Sequence, residues 1–408
     1  MNFETISVVG LGYIGLPTAA VFASRKKFVI GVDVNQDAVD TINRGEIHIV
    51  EPDLDMVVRA AVSEGYLKAT TTAEPADAFL IAVPTPFKEN HIPDLSYIES
   101  AGKTIAPVLK KGDLVVLEST SPVGATEQLA SWLSDIRPDL TFPQQAGESS
   151  DIRIAHCPER VLPGQVLSEL VQNDRVIGGM TVKCSEVATA LYKTFVKGEC
   201  VATNARTAEM CKLTENSFRD VNIAFANELS IISDKLEINV WELIRLANRH
   251  PRVNILQPGP GVGGHCIAVD PWFIVSKTPE QARLIHTARQ VNDSKPQWVI
   301  DKIVSKAQRF KHPVIGCFGL AFKANIDDLR ESPALDIVRQ LIAMKVGDIL
   351  VCEPNAHEDF EEFPLCDISC ILKNADILVI LVDHDEFKNI DLTALSEKIV
   401  IDTRGIIQ

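Results

Sequence analysis

Residues 5–33 read TISVVGLGYIGLPTAAVFASRKKFVIGVD. An apolar run enters a glycine turn at Gly10, Gly12 and Gly15, an apolar segment of helical length follows, and a second apolar run ends on Asp33. Glycines at this spacing permit a tight turn and a close approach of backbone to ligand, so that a pyrophosphate can sit on the N-terminus of the helix. Tyr13 and Ile14 stand inside the turn. An acid at the end of the second strand accepts hydrogen bonds from an adenosine ribose and leaves no room for a 2′-phosphate, which favours NAD over NADP. The glycine pattern alone is weak evidence. Strand, turn, helix and acid together predict a dinucleotide site on a parallel sheet.

The rest of the first third keeps that rhythm. AFLIAV (78–83) and DLVVLE (113–118) read as buried strands, with helix-length segments between, and IRIAHC (152–157) and DRVIGG (174–179) extend the same sheet. From Glu199 to His250 there is neither glycine nor proline, and the apolar positions follow helical spacing. This predicts a helical middle segment with one long helix through EMCKLTENSFRDVNIAFANEL. Strand signals return at PVIGCFG (313–319), DILVCE (348–353), DILVILVD (376–383) and KIVIDT (398–403). The expected fold is α/β: two Rossmann-like, doubly wound parallel-sheet domains, residues 1–197 and 301–408, joined by a helical domain, residues 198–300.

A chain of 408 residues with a formal charge of −15 is a poor partner for nucleic acid or an anionic membrane surface. No stretch approaches ~18 uninterrupted apolar residues, and the N-terminus runs straight into a strand, so neither a membrane span nor a signal peptide is expected. Nine cysteines lie scattered without a CxxC pair. That pattern predicts reduced thiols in a cytoplasm and no metal site.

Several motifs lie where a parallel sheet places ligands, beyond the carboxyl ends of its strands. VPTP (83–86) carries Thr85; ESTSPVG (118–124) carries Thr120, with Thr126 two residues beyond it. CPERVLPG (157–164) offers Glu159 as a possible general base and Arg160 as an anion ligand, although spacing alone favours a solvated ion pair. Lys212, Asn216 and Arg219 share one helical face, where a lysine beside an amide can stabilise a developing oxyanion. Glu209 and Glu215 also allow that face to be an ordinary salt-bridged surface. PGPGVGGHCIAVDP (258–271) sets Cys266 behind a glycine run, with His265 before it and Asp270 four residues on. Reactive and inert thiols are both compatible with this context until the dinucleotide site is considered: a thiol beside nicotinamide converts an aldehyde to a thioester. Lys323 and Arg330, in GLAFKANIDDLRESP, bring two cations to a loop after a strand, and Arg249, His250 and Arg252 form another basic cluster.

In this order, GLGYIGLP, VPTP, ESTSPVG, PERVLPG, CKLTENSFRD, GVGGHCIAVDP and FGLAFK…DDLRESP resemble the UDP-glucose/GDP-mannose dehydrogenase family along essentially the whole chain. The variant motifs resemble its branch acting on 2-acetamido sugars. The resemblance implies NAD-dependent, four-electron oxidation of a sugar C6 alcohol to a carboxylate. It points to UDP-N-acetyl-D-mannosamine as substrate and to surface polysaccharide, such as enterobacterial common antigen, as the destination of the product. By the same match Cys266 is the nucleophile, Lys212 and Asn216 handle the oxyanion and proton, Thr120 and Glu159 order water, and Asp270 supports the cysteine site. Arg160, Val161, Lys212, Asn216, Arg219, His250, Arg252, Gly263, Phe322, Lys323 and Arg404 would hold the UDP-sugar. Gly10, Gly12, Tyr13, Ile14, Gly15, Asp33, Thr85, Thr126 and Arg330 would hold NAD. The residue matched by Arg252 comes from the neighbouring subunit in this family, which implies a homodimer.

Two departures stand out. UDP-glucose dehydrogenases carry a second acid four residues after the position of Glu159, where this chain has Pro163, and a lysine before the position of Asp270, where it has Val269. Both suggest a pocket reshaped around an acetamido group, and they leave open how the thioester water is activated. UDP-N-acetylglucosamine and UDP-glucose remain alternative substrates. A two-electron β-hydroxyacid dehydrogenase shares the dinucleotide domain, the long helix and the lysine–asparagine pair, but needs no cysteine.

Overall fold

A computed structural model describes residues 3–162, 164–264, 266–356 and 360–407. Pro163 and His265, singled out above, lie outside the described residues. The chain divides into two compact bodies, Met1–Glu215 and Asn216–Gln408.

The first body is built on eight strands: β1 Thr5–Val9, β2 Phe28–Val32, β3 Leu67–Thr70, β4 Ala78–Ile81, β5 Leu114–Leu117, β6 Arg153–His156, β7 Arg175–Gly179 and β8 Cys200–Asn204. Their order across the sheet is β3-β2-β1-β4-β5-β6-β7-β8. All pairs are parallel except β6 with β7. Central strands bury both faces: Val8, Leu80 and Val116 point into one apolar layer, while Val9, Phe79, Ile81, Val115 and Leu117 point into the other. Helices therefore cover both sides, as the continuous Val/Ile/Leu runs require.

Two strands depart from the expectation. The sequence reading placed no strand at residues 67–70, and it placed residues 200–204 in the helical segment. These are β3 and β8, the two edges of the sheet. β8 has no buried residue and β3 only two, so neither presents the apolar run by which a central strand is recognised. The antiparallel pairing of β7 is likewise a correction to the wholly parallel sheet expected.

The second body contains a four-stranded parallel sheet, β9 Val314–Phe318, β10 Asp348–Cys352, β11 Ile377–Ile380 and β12 Ile399–Asp402, in the order β10-β9-β11-β12. The chain passes from β10 across β9 to β11, so the crossover point lies between β9 and β11, and ligands gather beyond the carboxyl ends of those two strands. The expected boundary at residue 300 falls inside the helix Arg283–Ala307, whose Val299, Ile300, Ile303 and Ala307 pack in one cluster with Ile315, Cys317 and Val379 of this sheet.

The long helix spans Ala205–Lys235, 31 residues, or about 46 Å. Within the second body it is tied to the helix Arg283–Ala307 by buried polar groups. The guanidinium of Arg289 donates to Asp220 at 2.6 Å, and the Asn292 amide donates to the same carboxylate at 2.8 Å. Asn227 donates to Asn292 Oδ1 at 2.9 Å. Arg289 and Asp220 are both nearly inaccessible. Removing one partner of such a pair strands the other charge in the core. Arg289→Met is expected to destabilise the protein by about 3 kcal/mol, seen as a thermal midpoint about 6–12 °C lower. Replacing Asp220 by leucine in the same chain is expected to recover most of that loss.

Candidate active site

In the first body the glycine turn is laid out for a dinucleotide. Gly10 has φ +90°, and its N–H donates to Val32 O at 2.8 Å. A β-carbon on Gly15 would lie 1.7 Å from the Gly10 carbonyl oxygen, so the helix Gly15–Ser24 can rest on the turn only with glycine there. A β-carbon on Gly12, by contrast, would meet nothing within 4 Å. The helix has no side-chain cap, and its first N–H groups and dipole face the open side of the turn. Asp33 accepts from Leu11 N–H at 2.8 Å and Asn35 N–H at 2.9 Å and is half-exposed. Open space over Gly12, an uncapped helix and a fixed carboxylate together fit a dinucleotide. Thr85 lies beyond β4, and its hydroxyl is buried without a hydrogen-bond partner.

Thr126 behaves differently from the expectation of a cofactor ligand. It is completely buried, and its N–H and hydroxyl donate to Glu209 Oε1 at 2.8 and 2.6 Å, while Gly124 N–H donates to Oε2 at 2.7 Å. Thr126 thus fastens the helix Ala125–Ile136 rather than offering its hydroxyl to a ligand. Glu209, an acid placed by spacing on a possible salt-bridged surface, is 1% exposed, and burial raises its carboxyl above the usual range. Nothing in the sequence marks it, because its partners lie more than eighty residues away.

Glu159 is not in a solvated pair either. It is buried, and Arg175 Nη1 donates to its Oε2 at 2.7 Å. Arg160 instead forms a two-pronged pair with Glu215, at 3.1 and 2.8 Å. Val161 packs half-buried against the core beside it, Thr120 is half-exposed, and Lys212 is half-buried on the long helix. Deeper still, Tyr192 donates to Glu118 at 2.5 Å, and the Arg175 guanidinium lies 5.2 Å from the Tyr192 ring centre. These three ionisable groups form a buried set behind Glu159.

The second body holds the cysteine loop. Cys266 is exposed, unlike the buried Cys157, Cys184, Cys317 and Cys352. Its carbonyl accepts from Asp270 N–H at 2.9 Å, closing one turn into the helix Asp270–Lys277. The buried Asp270 carboxylate accepts from Asn216 Nδ2 at 2.5 Å. The loop before Cys266 lies close against its neighbours. Gly259 N–H donates to Asn227 at 2.9 Å, and a β-carbon on Gly259 would sit 2.6 Å from the Arg404 guanidinium. One on Gly263 would be 2.4 Å from Glu331 O and 2.9 Å from Phe322. One on Gly264, at φ +80°, would strike the Phe322 ring at 2.8 Å. The glycines therefore admit the protein's own side chains, and through them Phe322 and Arg404 are brought to the cysteine loop.

Arg404 is held by Asp383, with Nε at 2.7 Å from its carboxylate. Arg330 makes a two-pronged pair with Asp328 at 2.9 and 2.7 Å. Lys323, Arg219 and Arg252 are exposed; so is His250, which accepts from Arg252 N–H at 3.4 Å. Among the described residues no helix is long and apolar enough to cross a membrane.

A dinucleotide turn in one body and, in the other, a glycine loop that ends on an exposed thiol and lies against Arg404 are features of an oxidoreductase. The chain belongs to the UDP-glucose/GDP-mannose dehydrogenase family: residues 4–196 match its NAD-binding domain, 206–294 its central domain and 316–408 its UDP-binding domain. It is similar to an NDP-N-acetyl-D-galactosaminuronic acid dehydrogenase of Ralstonia nicotianae, 69% identical over all of this chain and 97% of that protein. It is also similar to a UDP-N-acetyl-D-mannosamine dehydrogenase of Yersinia pestis, 67% identical over the full length of both. Among solved structures, a UDP-D-ManNAc dehydrogenase from Pyrococcus horikoshii matches 99% of this chain and 96% of its own, with 40% identity and a TM-score of 0.89. The protein is accordingly an NAD-dependent dehydrogenase of nucleotide sugars.

Burial pushes the Glu118 carboxyl up to about 7, with Arg175 opposing and Glu159 adding to the rise. The folded state holds this proton more tightly than the unfolded chain, whose carboxyl titrates near 4.5. The stability it contributes is complete below pH 4.5 and is lost as pH climbs through 7. Glu118→Gln cannot ionise. Its stability relative to the parent is expected to improve by on the order of 1–3 kcal/mol between pH 5 and pH 8, read from denaturant midpoints at both pH values.

Proposed function

We propose that this chain oxidises UDP-N-acetyl-D-mannosamine at C6 to UDP-N-acetyl-D-mannosaminuronate, in two steps joined by a bond to Cys266. The observation that carries the reading is the exposed thiol at the end of a glycine loop, one turn before a buried aspartate bonded to Asn216. Relatives bearing the N-acetylmannosamine name, 65–67% identical along this whole chain, supply the sugar.

When bound, NAD supplies the hydride acceptor for each oxidation. Gly10, Gly12, Tyr13, Ile14 and Gly15 form its turn, Asp33 takes the ribose, and Thr85 and Arg330 complete the set. Lys212 takes up the proton and Asn216 stabilises the charge on the C6 oxygen as the first hydride departs. The Cys266 sulfur then adds to the aldehyde carbon to give a thiohemiacetal, and loss of the second hydride leaves a thioester. Asn216 is oriented by its bond to Asp270, which ties the oxygen-stabilising amide to the turn that carries the thiol. Glu159, held in place by Arg175, and Thr120 order the water that cleaves the thioester and frees Cys266. A single acid at this point takes the part shared by two in UDP-glucose dehydrogenases.

Arg160, Val161, Arg219, His250, Arg252, Gly263, Phe322, Lys323 and Arg404 hold the nucleotide sugar, and cations in this set offset an otherwise acidic chain. The working form is a homodimer in the cytoplasm, each Arg252 serving the neighbouring subunit, and the product feeds a bacterial surface polysaccharide such as enterobacterial common antigen. Phe218, Phe225 and Ile232 support the dimer. They recur at intervals of seven on the long helix and remain 68%, 53% and 44% exposed, an apolar stripe of the kind a second helix covers.

A second reading, oxidation of the galacto sugar, is favoured by the Ralstonia relative at 69% identity. Steady-state turnover of the UDP derivatives of N-acetylmannosamine, N-acetylgalactosamine, N-acetylglucosamine and glucose tests both. The highest kcat/KM is expected on the manno sugar, with two NADH formed per sugar. Preference for glucose, or one NADH per sugar, overturns the proposal. Cys266→Ser is expected to stop after the first oxidation; complete double oxidation by this variant removes the thiol from the mechanism. Replacing both Phe218 and Phe225 by glutamate is expected to halve the mass seen by light scattering, to that of one 44.7 kDa chain. A mass unchanged from the parent rules out this stripe as the dimer contact.

A further inference from the structure

The turn after β9 repeats the turn after β1 and then departs from it. Gly319 has φ +92°, and its N–H donates to Cys352 O at 2.9 Å at the end of β10, as Gly10 donates to Val32 at the end of β2. Leu320 N–H donates to Glu353 at 2.6 Å, as Leu11 N–H donates to Asp33. In the first body the helix begins at once, at Gly15. In the second it is deferred to Pro333, and the intervening loop carries Phe322, Lys323 and Arg330. A phosphate site made by a helix N-terminus has been exchanged for one made by side chains on a loop, and a loop must be held still by something else.

The holding groups are visible. Glu353 Oε2 also accepts from Ala321 N–H at 3.0 Å, which fixes the start of the loop. His384 Nδ1 lies 2.9 Å from Asn325 N and 3.0 Å from Asn355 Nδ2, which fixes its far side. The two anchors meet: His384 Nε2 is 3.1 Å from Glu353 Oε2. Backbone N–H of Asn325 can only donate, so Nδ1 must accept and the ring proton must be on Nε2, facing the carboxylate. His384 is 0% exposed and packs edge-on against Phe387 at 5.4 Å. Counted from the last strand residue, His384 stands after β11 where Thr85 stands after β4. Thr85 keeps an unpartnered buried hydroxyl for a ligand; the second body fills the equivalent place with its own imidazole. The residue before it, Asp383, holds Arg404.

We propose that His384, as its neutral Nε2–H tautomer clasped between Glu353 and Asn325, is a positioning residue that sets the Phe322–Lys323 segment for a pyrimidine nucleoside diphosphate. The proposal rests on the reading of Lys323 as a ligand of the nucleotide sugar. His384 touches neither substrate nor cofactor. It acts through the loop, and its loss is felt in the affinity of one ligand only.

The test is calorimetric binding of UDP and of NAD to the full-length protein. His384→Ala is expected to weaken UDP about tenfold, the scale of one lost hydrogen bond, with NAD affinity within twofold. His384→Asn keeps an acceptor at the Nδ1 position and is expected to stay within threefold of the parent for UDP. Weakened UDP binding in Lys323→Ala beside unchanged binding in His384→Ala overturns the proposal alone. Unchanged binding in Lys323→Ala overturns the underlying assignment of the loop, and the proposal with it. Equal loss of UDP and NAD affinity in His384→Ala also overturns it, as a general loss of fold. Independently of the alanine variant, histidine nitrogen NMR of the parent at pH 7.5, assigned by the signal missing in His384→Asn, is expected to show the Nε2–H form. An Nδ1–H ring or an imidazolium there refutes the clasp.

Discussion

The position of Cys266 depends on backbone clearance. Gly259, Gly263 and Gly264 lie so near Arg404, Glu331, Pro333 and Phe322 that a single methyl group at any of them would overlap a neighbour. Close-packed interiors do not absorb such overlaps without moving whole elements. The loop is pinned at its entry by Asn227, and the turn that follows it is pinned by Asn216 through Asp270. Both asparagines belong to the long helix. The thiol therefore sits on a segment whose path is dictated by contact on several sides, while the sulfur itself stays accessible. That combination separates Cys266 from the buried cysteines of the same chain and is what thiolate chemistry requires.

This view changes what the glycine run means. Such runs suggest ligand approach, and in the first body Gly12 has open space above it that is compatible with one. In the second body the same residue type admits the protein's own side chains. Phe322 and Arg404 reach the cysteine loop because glycine lets them in. The loop carrying Phe322 and the loop carrying Cys266 are therefore mechanically one unit, and a side chain at Gly263 would disturb both.

Much of this was legible in the chain itself. The strands at the centre of each sheet announce themselves, because burial on both faces demands unbroken apolar runs, and the turn from Gly10 to Asp33 declares its ligand by chemistry. The edge strands Leu67–Thr70 and Cys200–Asn204 were not legible, since one exposed face breaks the pattern that marks a strand. The carboxylates were harder still. Glu209, Glu215 and Glu159 look alike in sequence, yet one caps a distant turn, one pairs with Arg160 and one is locked by Arg175. The partners lie 83, 55 and 16 residues away, and no helical or strand spacing encodes which acid meets which. Thr126 illustrates the cost: its family match suggested a cofactor ligand, while its hydroxyl is committed to Glu209.

The pairing of the two turns suggests how one architecture serves two ligands. Each sheet has, in chain order, a first strand, a left-handed glycine and an acid at the end of the next strand that captures the N–H after the glycine. Asp33 stays half-open, whereas Glu353 is 6% exposed and enclosed by Leu320, Ala321, Asn355 and His384. Burial works to raise the Glu353 carboxyl, but the hydrogen bond from His384 and those from the backbone outweigh it and hold it below the usual range. A carboxylate so buried and so heavily bonded is closed off from a ribose. The second turn has thus turned its recognition acid inward, as an anchor for the loop that carries Lys323. Recognition passes to the loop's cations, which suits a diphosphate better than a ribose hydroxyl.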